Sequence, residues 1–111
     1  MKTVVLEEGR PSVNEALLRL DHELAVARKE GHRLIKFIHG YGSTGVGGEI
    51  RLAVQKRLRE KSERGEIHGC IFGENWARSD DETWRLLAIH PDLKQDRDLG
   101  RKNRGITIVM L

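Results

Sequence analysis

One cysteine and two prolines stand in 111 residues, and the aromatic side chains amount to two tryptophans, two phenylalanines and one tyrosine. A lone Cys70 forms no internal disulfide, so nothing in the fold depends on an oxidising compartment, and its setting in Gly69-Cys70-Ile71-Phe72 reads as a buried strand position. Long apolar runs are missing as well. Ile106 to Leu111 is typical of the longest, far below the roughly 18 to 20 residues that cross a bilayer, so no membrane partner is expected. The start of the chain reaches Glu7 and Glu8 before any useful apolar stretch, so it does not read as a secretory signal, and the cytoplasm is the expected compartment. His22, His32, His68 and His90 show no metal-ligand spacing with Cys70 or with one another, so neither a metal nor any other cofactor is expected. Internal repeats and low-complexity tracts are absent.

What is present suits one domain over residues 1–111: 38% hydrophobic and 33% charged residues, an ordinary globular mixture able to bury a core. A net charge of +3 is only mildly basic. Its distribution says more, because residues 49–64 carry Arg51, Lys56, Arg57, Arg59, Lys61 and Arg64 against three Glu, and Arg101, Lys102 and Arg104 occur later. Taken singly, each cluster is equally well read as a solvated helix face or loop.

Hydrophobic periodicity orders the chain. Thr3 to Leu6 reads as an edge strand closed by a turn. Ser12 with Glu15 forms a capping box, and Val13, Leu17, Leu20, Leu24 and Ala27 recur at helical spacing until Gly31. Leu34 to His39 is the strongest strand, succeeded by five glycines within residues 40–48 and a second helix, about 49–64, with Ile50, Ala53, Val54 and Leu58 on one face. Gly65 closes that helix, and Ile67 to Gly73 is a third strand. Residues 74–104 are polar, with a short helix near Asp81 to Ile89 expected to turn Trp84, Leu87 and Ala88 to the core, and with a stretch from Lys94 to Arg104 polar enough to be mobile. Ile106 to Leu111 makes the last strand.

A glycine-rich turn between strand and helix lets backbone N–H groups approach an anion, and the helix N-terminus adds partial positive charge. Phosphate is the expected guest of Gly40, Tyr41, Gly42, Ser43, Thr44 and Gly45, with hydroxyl donors from Ser43 and Thr44. Arg51, in the first turn of the second helix, opposes the helix dipole, which suggests a bound anion that compensates it. A Walker A loop is excluded, since no glycine in this chain precedes the required lysine at the right spacing. Gly40-Tyr41-Gly42-Ser43-Thr44-Gly45 satisfies the dinucleotide Gly-x-Gly-x-x-Gly spacing, with Glu74 as a ribose-binding acid, but the chain has room for only one such unit.

The segment Ile38-His39-Gly40-Tyr41-Gly42-Ser43-Thr44-Gly45, the basic helix after it and the closing Gly105-Ile106-Thr107-Ile108-Val109 resemble the Smr (small MutS-related) domain. That family's His-Gly-x-Gly motif is matched in full, and most elements fall in its order; the stretch from about 75 to 103 has no assigned counterpart and is expected to be an insert. The resemblance implies an α/β (α+β) two-layer sandwich, a roughly four-stranded mixed sheet with two main helices and a short extra one. It also implies binding of RNA or DNA, and in many members endonuclease activity. The family's other motif, of the Asp-Leu-His-Gly type, falls at Leu6-Glu7-Glu8-Gly9, where only Gly9 agrees. Cleavage would then rely on His39 as acid or base, with Glu8 or Glu7 as the second group. Arg101, Lys102 and Arg104 would supply surrounding charge, and Tyr41 would stack on a base or ribose. A protein-interaction or scaffold domain without catalysis is the alternative, and a small nucleotide binder a third.

Overall fold

The computed structural model describes residues 1–41 and 47–111. Within them lie strands β1 (Lys2–Val5), β2 (Leu34–Ile38), β3 (Gly69–Phe72) and β4 (Ile106–Met110), and helices α1 (Val13–Lys29), α2 (Gly47–Glu63) and α3 (Asp81–Ile89). Short 3-10 turns occupy Gly73–Asn75 and Pro91–Gln95. The local reasons are those legible in the sequence. Ser12 Oγ accepts from the Glu15 amide at 3.1 Å while the Glu15 carboxylate accepts from the Ser12 amide at 3.2 Å, so two of the orphan donors at the start of α1 are satisfied. At its other end the His32 and Gly31 amides donate back to Ala27 and Arg28, and a glycine closes the helix.

The four strands form one mixed sheet in the order β1-β2-β4-β3, β1 parallel to β2 and β4 antiparallel to both β2 and β3. This is the α+β architecture expected, with β1 at an edge. Register decides which segments meet. Val5 pairs with Ile38, Ile38 with Ile106, and Phe72 with Thr107. The last residues of β1, β2 and β3 and the first of β4 therefore lie at one end of the sheet, and the segments continuing from them gather there: Leu6 to Gly9, His39 to Tyr41, Gly73 to Asn75, and Arg101 to Gly105.

Strand alternation gives the sheet two apolar faces. Ile35, Phe37 and Val109 pack against Ala16, Leu20, Leu24 and Ala27 of α1 and Ile50, Val54 and Leu58 of α2, the sandwich of sheet and main helices. Leu34, Ile71, Ile106 and Ile108 on the opposite face are covered by Trp76, Leu86, Leu87 and Leu93. The polar stretch after β3 thus adds a covering layer of its own.

Two expectations are corrected by these contacts. Trp84 is 62% exposed, and Ala88 is exposed as well, because Thr83, whose hydroxyl donates to the Asn75 carbonyl at 2.8 Å, sets the phase of α3. Its buried face is Thr83, Leu86 and Leu87, which leaves Trp84 and Ala88 about 100° and 140° away from Thr83 around the helix. The stretch from Lys94 to Arg104, expected to be mobile, is tied to the sheet by Lys36. That side chain, 3% exposed, alternates onto the second face and donates to Asp96 Oδ1 and Oδ2 at 2.7 and 2.9 Å and to Asp98 Oδ2 at 2.6 Å. Trp76 Nε1–H donates to Asp96 at 2.9 Å, and Asn103 Nδ2–H donates to Asp98 Oδ1 at 3.0 Å. Among the described residues no helix is long and apolar enough to cross a membrane.

Candidate functional site

His39 directly follows β2, with 1% of its surface exposed. Its Nδ1 lies 2.8 Å from the Gly40 carbonyl and its Nε2 2.9 Å from Thr107 Oγ1. A carbonyl only accepts, so Nδ1 carries the proton and Nε2 accepts from the threonine hydroxyl. Burial holds the imidazole below its usual pKa of 6.5, and the Arg51 charge adds to that effect, against the opposing pull of the Gly40 carbonyl and of Glu74. The ring is therefore a neutral brace with both nitrogens engaged, and it joins the exit of β2 to β4. The backbone does the same, since the His39 and Gly40 amides both donate to the Gly105 carbonyl, at 2.9 and 3.1 Å.

Gly40 stands at φ +74°, and a Cβ there would run into the Glu7 carboxylate. The positive φ is what calls for glycine, since the Glu7 carboxylate is the end of an exposed, flexible side chain that can move aside. That contact also separates the two acids of the turn after β1. Glu7 lies against Gly40 beside His39, whereas Glu8 lines a cleft on the outer side of β1 with Lys2, Gly9 and Arg19. Arg19 fixes this turn by donating to the Leu6 and Glu8 carbonyls at 3.2 and 2.9 Å. Leu6 is fully buried and the exposed residues after it diverge, so of the two acids offered as a second group it is Glu7, not Glu8, that lies beside Gly40.

Arg51 is corrected as well. Its Nη2 donates to Glu74 Oε2 at 2.5 Å, so the charge that looked in want of an anion is compensated within the chain. Glu74, considered as a ribose-binding acid, gives Oε2 to the same pair, while its Oε1 is buried without a hydrogen-bond partner among the described residues. Two more cations of the α2 cluster are paired with acids, Arg57 to Asp21 at 2.6 Å and Lys61 to Asp21 and Glu66 at 3.3 and 3.5 Å, and Arg59 lies over the Phe72 ring at 5.3 Å from its centroid, while Lys56 and Arg64 are exposed. These contacts fasten α2 to α1 and β3.

The second cluster differs. Arg101, Lys102 and Arg104 make no ion pair among the described residues. With Tyr41, Asp98 and Asn103 they line a cleft of about 440 Å³, so the structure brings together residues that the sequence separates by roughly sixty positions. Asn103 positions the loop: its Nδ2–H donates to Asp98 and its Oδ1 accepts from the Gly105 amide at 2.9 Å. Lys102 stands at φ +54°, a left-handed conformation that costs a non-glycine residue about 1–2 kcal/mol. Gly42, Ser43, Thr44 and Gly45 lie outside the described residues; Tyr41 lines this cleft and Gly40 precedes it in the chain. No cluster of three or more His, Cys, Asp or Glu able to hold a metal occurs among the described residues.

Lys36, Asp98 and Asn103 did not stand out in the sequence. The available signal was a lysine at an inward register of an otherwise apolar strand, with two aspartates in a later polar stretch.

No family model matches the chain, and no curated protein matches it. Among solved structures, the crystal structure of the Smr domain of Thermus thermophilus MutS2 is similar, with a TM-score of 0.61 and 23% identity, covering 100% of this chain and 98% of that one.

Proposed function

The chain has the fold of an Smr domain, and from that premise we propose that it binds the phosphate backbone of nucleic acid at the sheet end where Tyr41 and residues 101–104 form one cleft. The observation that carries this reading is the contrast between the two basic clusters. Arg51, Arg57 and Lys61 of the first cluster are paired with acids of the chain, while none of Arg101, Lys102 and Arg104 makes an ion pair among the described residues and all three line one cleft. Asp98, the acid lining that cleft, is already taken by Lys36 and Asn103. A strained loop that gathers like charges is supported when an external polyanion takes up those charges.

Gly40 and Tyr41 put the start of the glycine stretch beside this cleft, and on this reading Gly42, Ser43, Thr44 and Gly45 extend the same phosphate track with amides and hydroxyls. Arg51 serves it indirectly, by holding Glu74 away from it. His39 acts as a positioning residue, because an imidazole buried with both nitrogens bonded is not placed to exchange a proton with substrate. The reading is therefore of binding, with hydrolysis not assigned to His39.

The test is fluorescence anisotropy with a labelled oligonucleotide at fixed salt. Arg101→Ala/Lys102→Ala/Arg104→Ala should weaken binding by about tenfold or more. Arg57→Ala/Lys61→Ala, which removes the same kind of charge from α2, should change it by less than about threefold. Equal losses from the two variants, or no binding by the wild type, would refute the proposal.

A further inference from the structure

We infer that the cleft selects single-stranded over double-stranded nucleic acid, with one unpaired base stacked on Tyr41 and its flanking phosphates on Arg101, Lys102 and Arg104. The inference rests on the phosphate-binding reading above and adds the form of the ligand.

Tyr41 and Trp84 are 60% and 62% exposed, whereas Phe37, Phe72 and Trp76 are buried or half-buried, and of the two exposed rings it is Tyr41 that lines the cleft with the cations. It is nevertheless seated. A Cβ on Gly105 would stand 3.1 Å from Tyr41 Cδ1 and 3.4 Å from Gly40 Cα, so the absent side chain lets the ring settle against the backbone of residue 105. The same Gly105 carbonyl accepts both the His39 and Gly40 amides, which fixes the residues from which Tyr41 projects. A ring held on one side and open on the other, lining a cleft with three uncommitted cations, combines a stacking platform with a backbone track.

A duplex offers such a ring nothing to stack on, because its bases are already stacked on each other and only their edges face the grooves. The cleft volume of about 440 Å³ falls in the range of a small-molecule pocket, room for about one nucleoside.

The experiment measures anisotropy with four labelled probes of equal length: single-stranded DNA, single-stranded RNA of the same sequence, the DNA duplex, and a baseless chain of abasic phosphodiester linkers. The 111-residue chain should bind at least one of the single strands about tenfold more tightly than the duplex and the baseless chain, and the tighter of the DNA and RNA arms names the source. Tyr41→Ala should abolish that preference, bringing the variant's affinity for the single strand down to its affinity for the baseless chain, and Tyr41→Phe, which keeps the ring, should retain it. Equal affinity for strand, duplex and baseless chain, or a preference that survives Tyr41→Ala, would overturn the inference. In that case continued sensitivity of all probes to Arg101→Ala/Lys102→Ala/Arg104→Ala leaves phosphate binding standing, whereas insensitivity removes both.

Discussion

Replacing Lys36 by methionine removes the one cation that holds two aspartates against the second face of the sheet. Lys36 is 3% exposed and makes three charge-assisted hydrogen bonds of 2.6 to 2.9 Å to partners 60 and 62 positions away. Methionine preserves most of the volume, so the cost is that of leaving Asp96 and Asp98 without their cation, about 3–5 kcal/mol for a broken buried pair. At about 4 °C per kcal/mol for a chain of this size, the melting temperature should fall by roughly 12–20 °C. The direction of the pH dependence should also invert. In the wild type, burial pushes the Asp98 carboxyl up, but hydrogen bonds from Lys36 and Asn103 and the Lys36 charge outweigh it and hold the group below its ordinary 3.8. A depressed pKa contributes stability that is present above the ordinary value and is lost as pH falls through the folded one, below about pH 4. Without Lys36 the burial effect dominates, so acidification from pH 7 to 5 should stabilise the variant relative to wild type. Circular dichroism melts and urea titrations across that range measure both effects. Adding Asp96→Asn and Asp98→Asn to the variant should restore most of the loss. A Lys36→Met protein within about 1 kcal/mol of wild type, with an unchanged acid response, would refute this view of the network.

The two tryptophans should behave oppositely: Trp76→Ala, which empties a fully buried site and removes a donor to Asp96, should cost about 3–5 kcal/mol, while Trp84→Ala on the exposed face of α3 should stay within about 0.5 kcal/mol in the same urea titrations. His39 is held below its usual pKa by burial, so it favours the folded state above pH 6.5 and withdraws that stability as pH falls through its folded value. His39→Gln should flatten the wild-type decline between pH 6.5 and 5, and a decline of undiminished slope would exclude His39 as its source.

Elements whose causes are local were legible. Ser12 and Glu15 announced α1, Leu34 to His39 announced the central strand, and the strand and the helix on either side of the glycine stretch fell where expected. What the sequence concealed depends on distant partners. Arg51 looked unpaired because Glu74 lies 23 positions away, and the Lys94 to Arg104 stretch looked mobile because its anchor is a single lysine on β2. Trp84 was placed inward on hydrophobicity alone, whereas the phase of α3 is set by a threonine hydroxyl bonded to the preceding turn. His39 stood out beside the glycines, but the Thr107 hydroxyl that engages its outer nitrogen comes from β4, 68 positions later.

The most direct test of the central claim is the salt dependence of nucleic-acid affinity, measured by anisotropy from about 50 to 200 mM salt in the wild type and in Arg101→Ala/Lys102→Ala/Arg104→Ala. Each cation on a phosphate of a single strand adds about 0.7 to the slope of log affinity against log salt, so loss of all three should make the slope shallower by about 2. An unchanged slope would mean that those cations never met phosphate, and the cleft would not be the binding site.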